Sequence, residues 1–259
     1  MQHKFGGHVL ISQCGHVAVI TICRPPHNFV AVEFMRELAD AFDAADQDPA
    51  IRASVLQADG KSFSAGADFS GSEGGGSVSG GATHLYAQAI RLYSVRKPIV
   101  AALQGPAIGA GLGLALVADF RVASPEARFA ANFVKLGFHP GFGISHVLPR
   151  LVGQQKAALL MLTGRRIKGE EALAWGLIDE LVPTEKLREV ALRLAAEIAE
   201  NAPLAVVATR STLRAQLAAQ VAAQTEVENR EQIRLYSTED FKEGVRAVAE
   251  RRPGIFRGC

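Results

Sequence analysis

Hydrophobic and polar positions change rhythm along the chain. In "HVLISQCGHVAVITIC" (8–23) apolar residues alternate with polar ones on either side of Gly15, the pattern of a hairpin turning at that glycine. "ASVLQAD" (53–59) and "PIVAALQG" (98–105) are short apolar runs that predict buried strands. Between the hairpin and the first of these runs, "AVEFMRELADAFDAADQD" has helical spacing and puts Phe34, Leu38, Ala41 and Phe42 on one side. This alternation predicts an α/β region up to about residue 135. From Gly153 onward the pattern is nearly all helical: in "TEKLREVALRLAAEIAEN" an apolar stripe of Leu187, Val190, Ala191, Leu194 and Ile198 follows Thr184, read as its cap. The segments from Pro203 to Arg252 are long, Ala-rich and helical, a composition that suits packing against further copies of the chain.

Composition narrows the function class. The 259 residues are 48% hydrophobic and 21% charged, enough for one large core with or without an appendage. A formal charge of +2, with the cations scattered, does not describe a nucleic-acid-binding surface. Cys14, Cys23 and Cys259 are too few and too irregular for a disulfide framework or a zinc cluster, and the histidines lack metal-ligand spacing. The start of the chain has no signal-type apolar segment, and no run of about 18 apolar residues occurs. These features predict a cytoplasmic protein without membrane or metal partners. The glycine-rich "GSEGGGSVSGG" (71–81) is read as a surface loop or a lid over a site; no Gly-Lys-Ser/Thr follows, so it is not a phosphate loop.

A second glycine-rich stretch carries more chemistry. "GPAIGAGLGLALVAD" (105–119) runs from a predicted strand into an apolar helix beginning near Gly109. Its glycines do not have the G-x-G-x-x-G spacing of a dinucleotide fingerprint, and a G-x-S-x-G elbow occurs nowhere in the chain. Tight packing and donation of free backbone N–H groups remain. "KSFSAGADF" (61–69) is a comparable small-residue turn after another predicted strand, so the two could offer one N–H each to a shared oxygen.

Taken together, "SFSAGADF" and "GPAIGAGLGLALVADFRVAS" resemble the enoyl-CoA hydratase/isomerase (crotonase) superfamily. So do "RPPHN" after the hairpin, "LPRLVGQQKAALLMLTGRRIKGEEALAWGLIDELVP" in the middle and "DFKEGVRAVAERRPGIF" near the end, in order along almost the whole chain. The resemblance implies an α/β spiral of ββα units over residues 1–200 and a C-terminal helical region over 201–259 that builds trimers or dimers of trimers. It also implies an acyl-CoA or enoyl-CoA substrate, with CoA as part of that substrate and no separate cofactor. The N–H groups of Ala67 and Ala110 correspond to the family's oxyanion hole; Ala65, Asp68 and Phe69 would lie beside the CoA arm and His27 near its adenine end.

The resemblance also marks departures. The two glutamates of typical hydratases fall at Gly113 and Phe133, and the aspartate of isomerase-type and dehalogenase-type members falls at Gly141. Other polar candidates are His139, in a Gly/Pro-rich turn; Tyr86 and His84, on "THLYAQAIRLYSV"; and Asn132, which could orient substrate or water. Asp68 more readily fixes its own loop, and His146 lies within an apolar pattern. Three readings stay open: hydration or hydrolysis using His139, Tyr86 or an ordered water; single-base isomerisation through His139; and acyl-CoA binding without catalysis.

Overall fold

A computed structural model describes the backbone of residues 2–67 and 81–259 and the side chains of 3–67 and 85–259. The expectations for Asp68, Phe69 and the glycine-rich segment before Gly81 therefore lie outside the described residues, as does the His84 side chain.

Three N-terminal strands, β1 (Gln2–Phe5), β2 (Val9–Cys14) and β3 (Val17–Ile22), form an antiparallel meander. It turns at Gly15, whose φ of 57° suits a residue without a Cβ. Helix α1 (Val32–Gln47) then leads to β4 (Ala53–Ala58), and α2 (Gly81–Tyr93) to β5 (Ile99–Leu103). β6 (Ala107–Ile108) and α3 (Ala110–Leu116) follow, then β7 (Phe120–Ala123) and β8 (Arg128–Ala130). Next come α4 (Ile144–Val152), α5 (Gln154–Thr163), β9 (Ile167–Lys168), α6 (Gly169–Ala174) and β10 (Glu180–Leu181). Four helices end the chain: α7 (Leu187–Ala199), α8 (Pro203–Leu213), α9 (Leu217–Tyr236) and α10 (Glu239–Ala249).

The main sheet has the order β1-β2-β3-β4-β5-β7-β10, parallel from β3 onward, and β6, β8 and β9 form a smaller second sheet. β5 is apolar throughout because both of its faces are covered. Ile99, Ala101 and Leu103 join the core that includes Phe34, Leu38 and Phe42 of α1, whereas Val100 and Ala102 face Leu187, Ala191 and Ala195 of α7. The predicted stripes on α1 and α7 are thus the two covers of one sheet.

Two local expectations need correction. Thr184 does not cap α7: it opens a separate 3-10 turn (Thr184–Lys186), and its hydroxyl bonds Glu126 instead. Nor is the chain beyond Gly153 almost purely helical, since β9 pairs with β8 and β10 extends the main sheet beside β7. Strands of two residues are too short to show alternation. The C-terminal helices are tied to the core by ions as well as by packing: Asp119 accepts from Arg210 Nε at 2.9 Å and Arg214 Nη1 at 2.8 Å, and from the Ile99 amide at 2.8 Å.

Candidate active site

Two loops at strand ends are joined backbone to backbone. Ser64 N donates to Pro106 O at 3.1 Å, and Ile108 N donates to Ser64 O at 3.0 Å, a two-bond parallel bridge between Ser64 and Ala107. Only the absence of a side chain permits this approach, because a Cβ at Gly111 would lie 2.1 Å from Ser64 O. Buried Asn28 anchors the first loop from outside, with its Nδ2 donating to Asp59 O and Ser62 O, both at 2.7 Å.

Peptide geometry fixes where the next amides point. Gly66 O accepts from Val30 N at 2.8 Å; in a trans peptide the following N–H, that of Ala67, points the opposite way. Gly109 O accepts from Gly113 N at 3.1 Å inside the helix turn, so the Ala110 N–H points out of the helix start. Ala67 and Ala110 each lie three residues past the bridge, and a Cβ at Gly66 would be 3.6 Å from Ala110 N. Both alanines line one cavity of about 610 Å³. Ala65, Asn132, Phe133, Tyr86 and His27 line it too, His27 from an exposed position with its ring 5.5 Å from that of Phe29.

The positions where the resemblance expects carboxylates hold apolar groups or none. A Cβ at Gly113 would sit 2.7 Å from the side chain of Phe142, which fills that space and is fully buried. Phe133 presents its ring to the cavity and meets Phe138 edge-on at 5.3 Å. At Gly141 a Cβ would be only 1.9 Å from the Tyr86 hydroxyl oxygen, so the tyrosine occupies the room that a side chain would need. Asn132 is half-buried, its Oδ1 3.6 Å from where a Gly109 Cβ would stand.

The polar wall of the cavity is made by residues far apart in sequence. Tyr86 donates its hydroxyl to Gln232 Oε1 at 2.6 Å, Tyr236 donates to the same oxygen at 3.0 Å, and Gln232 Nε2 donates to His139 O at 2.8 Å. Burial pushes the pKa of both phenols up, so both stay protonated near neutrality. His139 itself is not among the lining residues: its Nδ1 lies 2.8 Å from Pro140 O, and its main-chain carbonyl accepts from Gln232 Nε2. One turn before Gln232 on α9, fully buried Glu228 accepts from Gly143 N at 2.7 Å and from Ser145 N at 3.0 Å, holding the turn that follows Gly141. Burial raises the pKa of Glu228, against the opposing effect of its hydrogen bonds from Ser145 and Gly143.

Sequence reading missed Gln232 and Tyr236. The available signal was their spacing: Glu228, Gln232 and Tyr236 recur every four residues and so share one face of α9. Of the cations, Arg24 and Arg166 line the cavity, while exposed Lys61 and Lys242 do not. No described helix is long and apolar enough to cross a membrane.

With this geometry in hand, comparison with known proteins decides the family. The family model described as Enoyl-CoA hydratase/isomerase matches residues 13–258. The chain belongs to the enoyl-CoA hydratase/isomerase family. It is 36% identical over 250 residues to the "Probable enoyl-CoA hydratase" of Rhizobium meliloti, covering 96% of this chain and 97% of the relative. It is 33% identical over 249 residues to the "Short-chain-enoyl-CoA hydratase" of Clostridium acetobutylicum, covering 95% of each. The crystal structure of an enoyl-CoA hydratase/isomerase from Pseudoalteromonas atlantica superposes with a TM-score of 0.85 at 33% identity, covering 96% of this chain and 100% of the other. The expected α/β crotonase fold with its C-terminal helices is therefore the fold observed.

Proposed function

We propose that the cavity is an acyl-CoA thioester site of hydratase-like type. The N–H groups of Ala67 and Ala110 receive the thioester oxygen and stabilise the enolate formed when an enoyl-CoA reacts. The observation that carries this reading is that both amides belong to peptides whose carbonyls are bonded elsewhere, on bridged loops lining one cavity. Removing one such donor costs about 10² to 10³ in turnover in other enzymes.

Proton handling differs from that of a two-glutamate hydratase. An ordered water held by the Asn132 side-chain oxygen adds its hydroxyl to the β-carbon while its proton passes to the α-carbon, so the water supplies both added parts and Tyr86 keeps its hydrogen on Gln232. Without a carboxylate base, hydration runs about 10² to 10⁴ more slowly than with full acid and base assistance. One observation favours acyl-CoA binding without turnover as a second reading: the described lining residues include no Asp or Glu. Isomerisation through His139 draws no support from its placement off the lining. Assembly into trimers accords with exposed apolar side chains such as Leu162, Leu204 and Leu213.

The test uses crotonyl-CoA and bulkier enoyl-CoAs. Loss of their conjugated absorbance, slow in the native protein and abolished in Ala110→Pro, supports hydration. Tight calorimetric binding without any absorbance loss selects the binder, and absence of binding to every thioester sinks the reading.

A further inference from the structure

The Tyr86–Gln232–Tyr236 cluster has hydrogen-bonding capacity that its own bonds leave unused. The bond from Gln232 Nε2 to His139 O fixes which end of the amide is oxygen, and that oxygen is then filled by two phenol donors. Each phenol has committed its single hydrogen and keeps lone pairs; Gln232 keeps a second N–H hydrogen. Among the described residues no further hydrogen bond reaches these three side chains. Gln232 is 1% exposed, and all three residues line the cavity.

A plain hydrocarbon chain filling this cavity would offer no partner to the phenol lone pairs or to the second amide hydrogen. A ketone could take only the amide hydrogen. A hydroxyl matches both kinds of group, donating to one phenol oxygen while accepting from the amide. A row of neighbouring rings runs along the wall from the Gly109 end of the cavity to this cluster. The Phe133 ring tip lies 3.8 Å from where a Gly109 Cβ would stand, Phe138 follows 5.3 Å from Phe133, and Tyr236 lies 5.4 Å beyond Phe138. An acyl group held at Ala110 that follows those rings arrives at the Tyr236 hydroxyl.

We infer that Tyr86, Gln232 and Tyr236 form a hydroxyl-binding subsite that selects acyl-CoA thioesters whose acyl group carries a hydroxyl beyond the β-carbon. The inference rests on the reading of Ala67 and Ala110 as the thioester site. The backbone is shaped for the cluster: a Cβ at Gly141 would collide with the Tyr86 hydroxyl at 1.9 Å and with Gln232 Nε2 at 2.6 Å.

Calorimetric titration of the full-length protein with butyryl-, hexanoyl-, octanoyl- and decanoyl-CoA, each paired with its terminally hydroxylated counterpart, tests this. At one chain length the hydroxyl tightens binding about tenfold or more over its plain partner. Gln232→Leu and, separately, Tyr236→Phe bring that ratio close to one. Tyr236→Phe deletes a single hydroxyl from a half-buried ring and serves if Gln232→Leu does not fold. If plain acyl-CoAs bind but the hydroxyl gives no gain at any length, or if the gain survives in both variants, the subsite is refuted while the thioester reading stands. If no member of either series binds, both fall.

Discussion

The two halves of this site are made in opposite ways. Around Ala67 and Ala110 the chain leaves side chains out, so that two loops touch through main-chain atoms and the N–H groups are fixed by the direction of their peptides. Around Gly141 it brings side chains in: Tyr86 from α2 and Gln232 from α9 fill one small volume. The first half is local, and removal of an amide hydrogen is the cleanest way to break it. The second is assembled over long range and should respond in graded fashion, one side chain at a time.

The largest effect is expected from Ala110→Pro. Position 110 is the first residue of α3, where proline is tolerated, so the substitution deletes one donor with little cost to the helix. Thioester turnover should fall about 10²- to 10³-fold, while the midpoint of thermal unfolding moves little; retained turnover would remove Ala110 from the site.

Next comes Gly141→Ala, which forces a methyl into the space of the Tyr86 hydroxyl and should cost about 1–3 kcal/mol of stability by overpacking. Gly141→Ala combined with Tyr86→Phe should recover part of that loss in urea denaturation, because the colliding oxygen is gone. Additive losses would show that the two positions do not share the volume.

A smaller effect, visible as a slope, concerns Glu228. Its folded pKa is raised by burial, so the folded protein holds that proton more tightly than the unfolded chain does. Stability is therefore withdrawn as pH rises from about 4.3, the ordinary glutamate value, towards the folded pKa. Denaturation of the native protein and Glu228→Gln across pH 4 to 8 (~4 units, the range in which carboxylates and histidines titrate) should give a stability difference that falls with rising pH. A difference that rises instead would contradict the burial effect.

The smallest effect lies at the C-terminal tail. Arg252 beside Glu243 holds that carboxylate down at about 2, and Glu243 Oε1 accepts from the Ile255 amide at 2.9 Å. Glu243→Gln should speed hydrogen exchange at Ile255 at neutral pH, and the native protein should show the same loss of protection as pH falls from about 4.3 towards 2. Turnover is expected to stay within a factor of about two, because Glu243 is not among the residues that line the cavity.

How far the sequence could be read follows the same division. The hairpin at Gly15, the buried runs at β4 and β5 and the stripe of Phe34, Leu38, Ala41 and Phe42 were legible because their patterns repeat within a few residues. The small-residue loops were legible because close main-chain approach excludes side chains. Thr184 misled because a hydroxyl before a helix suits a cap, yet tertiary placement gave it Glu126 as a partner. The facing of His139 was not legible because an imidazole in a Gly/Pro turn says nothing about which way its ring points. Gln232 stayed hidden since its partner Tyr86 lies 146 residues away and no local rhythm links them.

The bridge from Ser64 to Ala107 has a consequence for how this scaffold can diversify. It makes the two amide donors parts of one stapled unit whose aim owes nothing to the identity of the residues that face the acyl group. In the proposed reading, side chains along the rim such as Phe133 can vary without disturbing those donors, so new substrate preferences can be tried while the thioester-holding unit is kept.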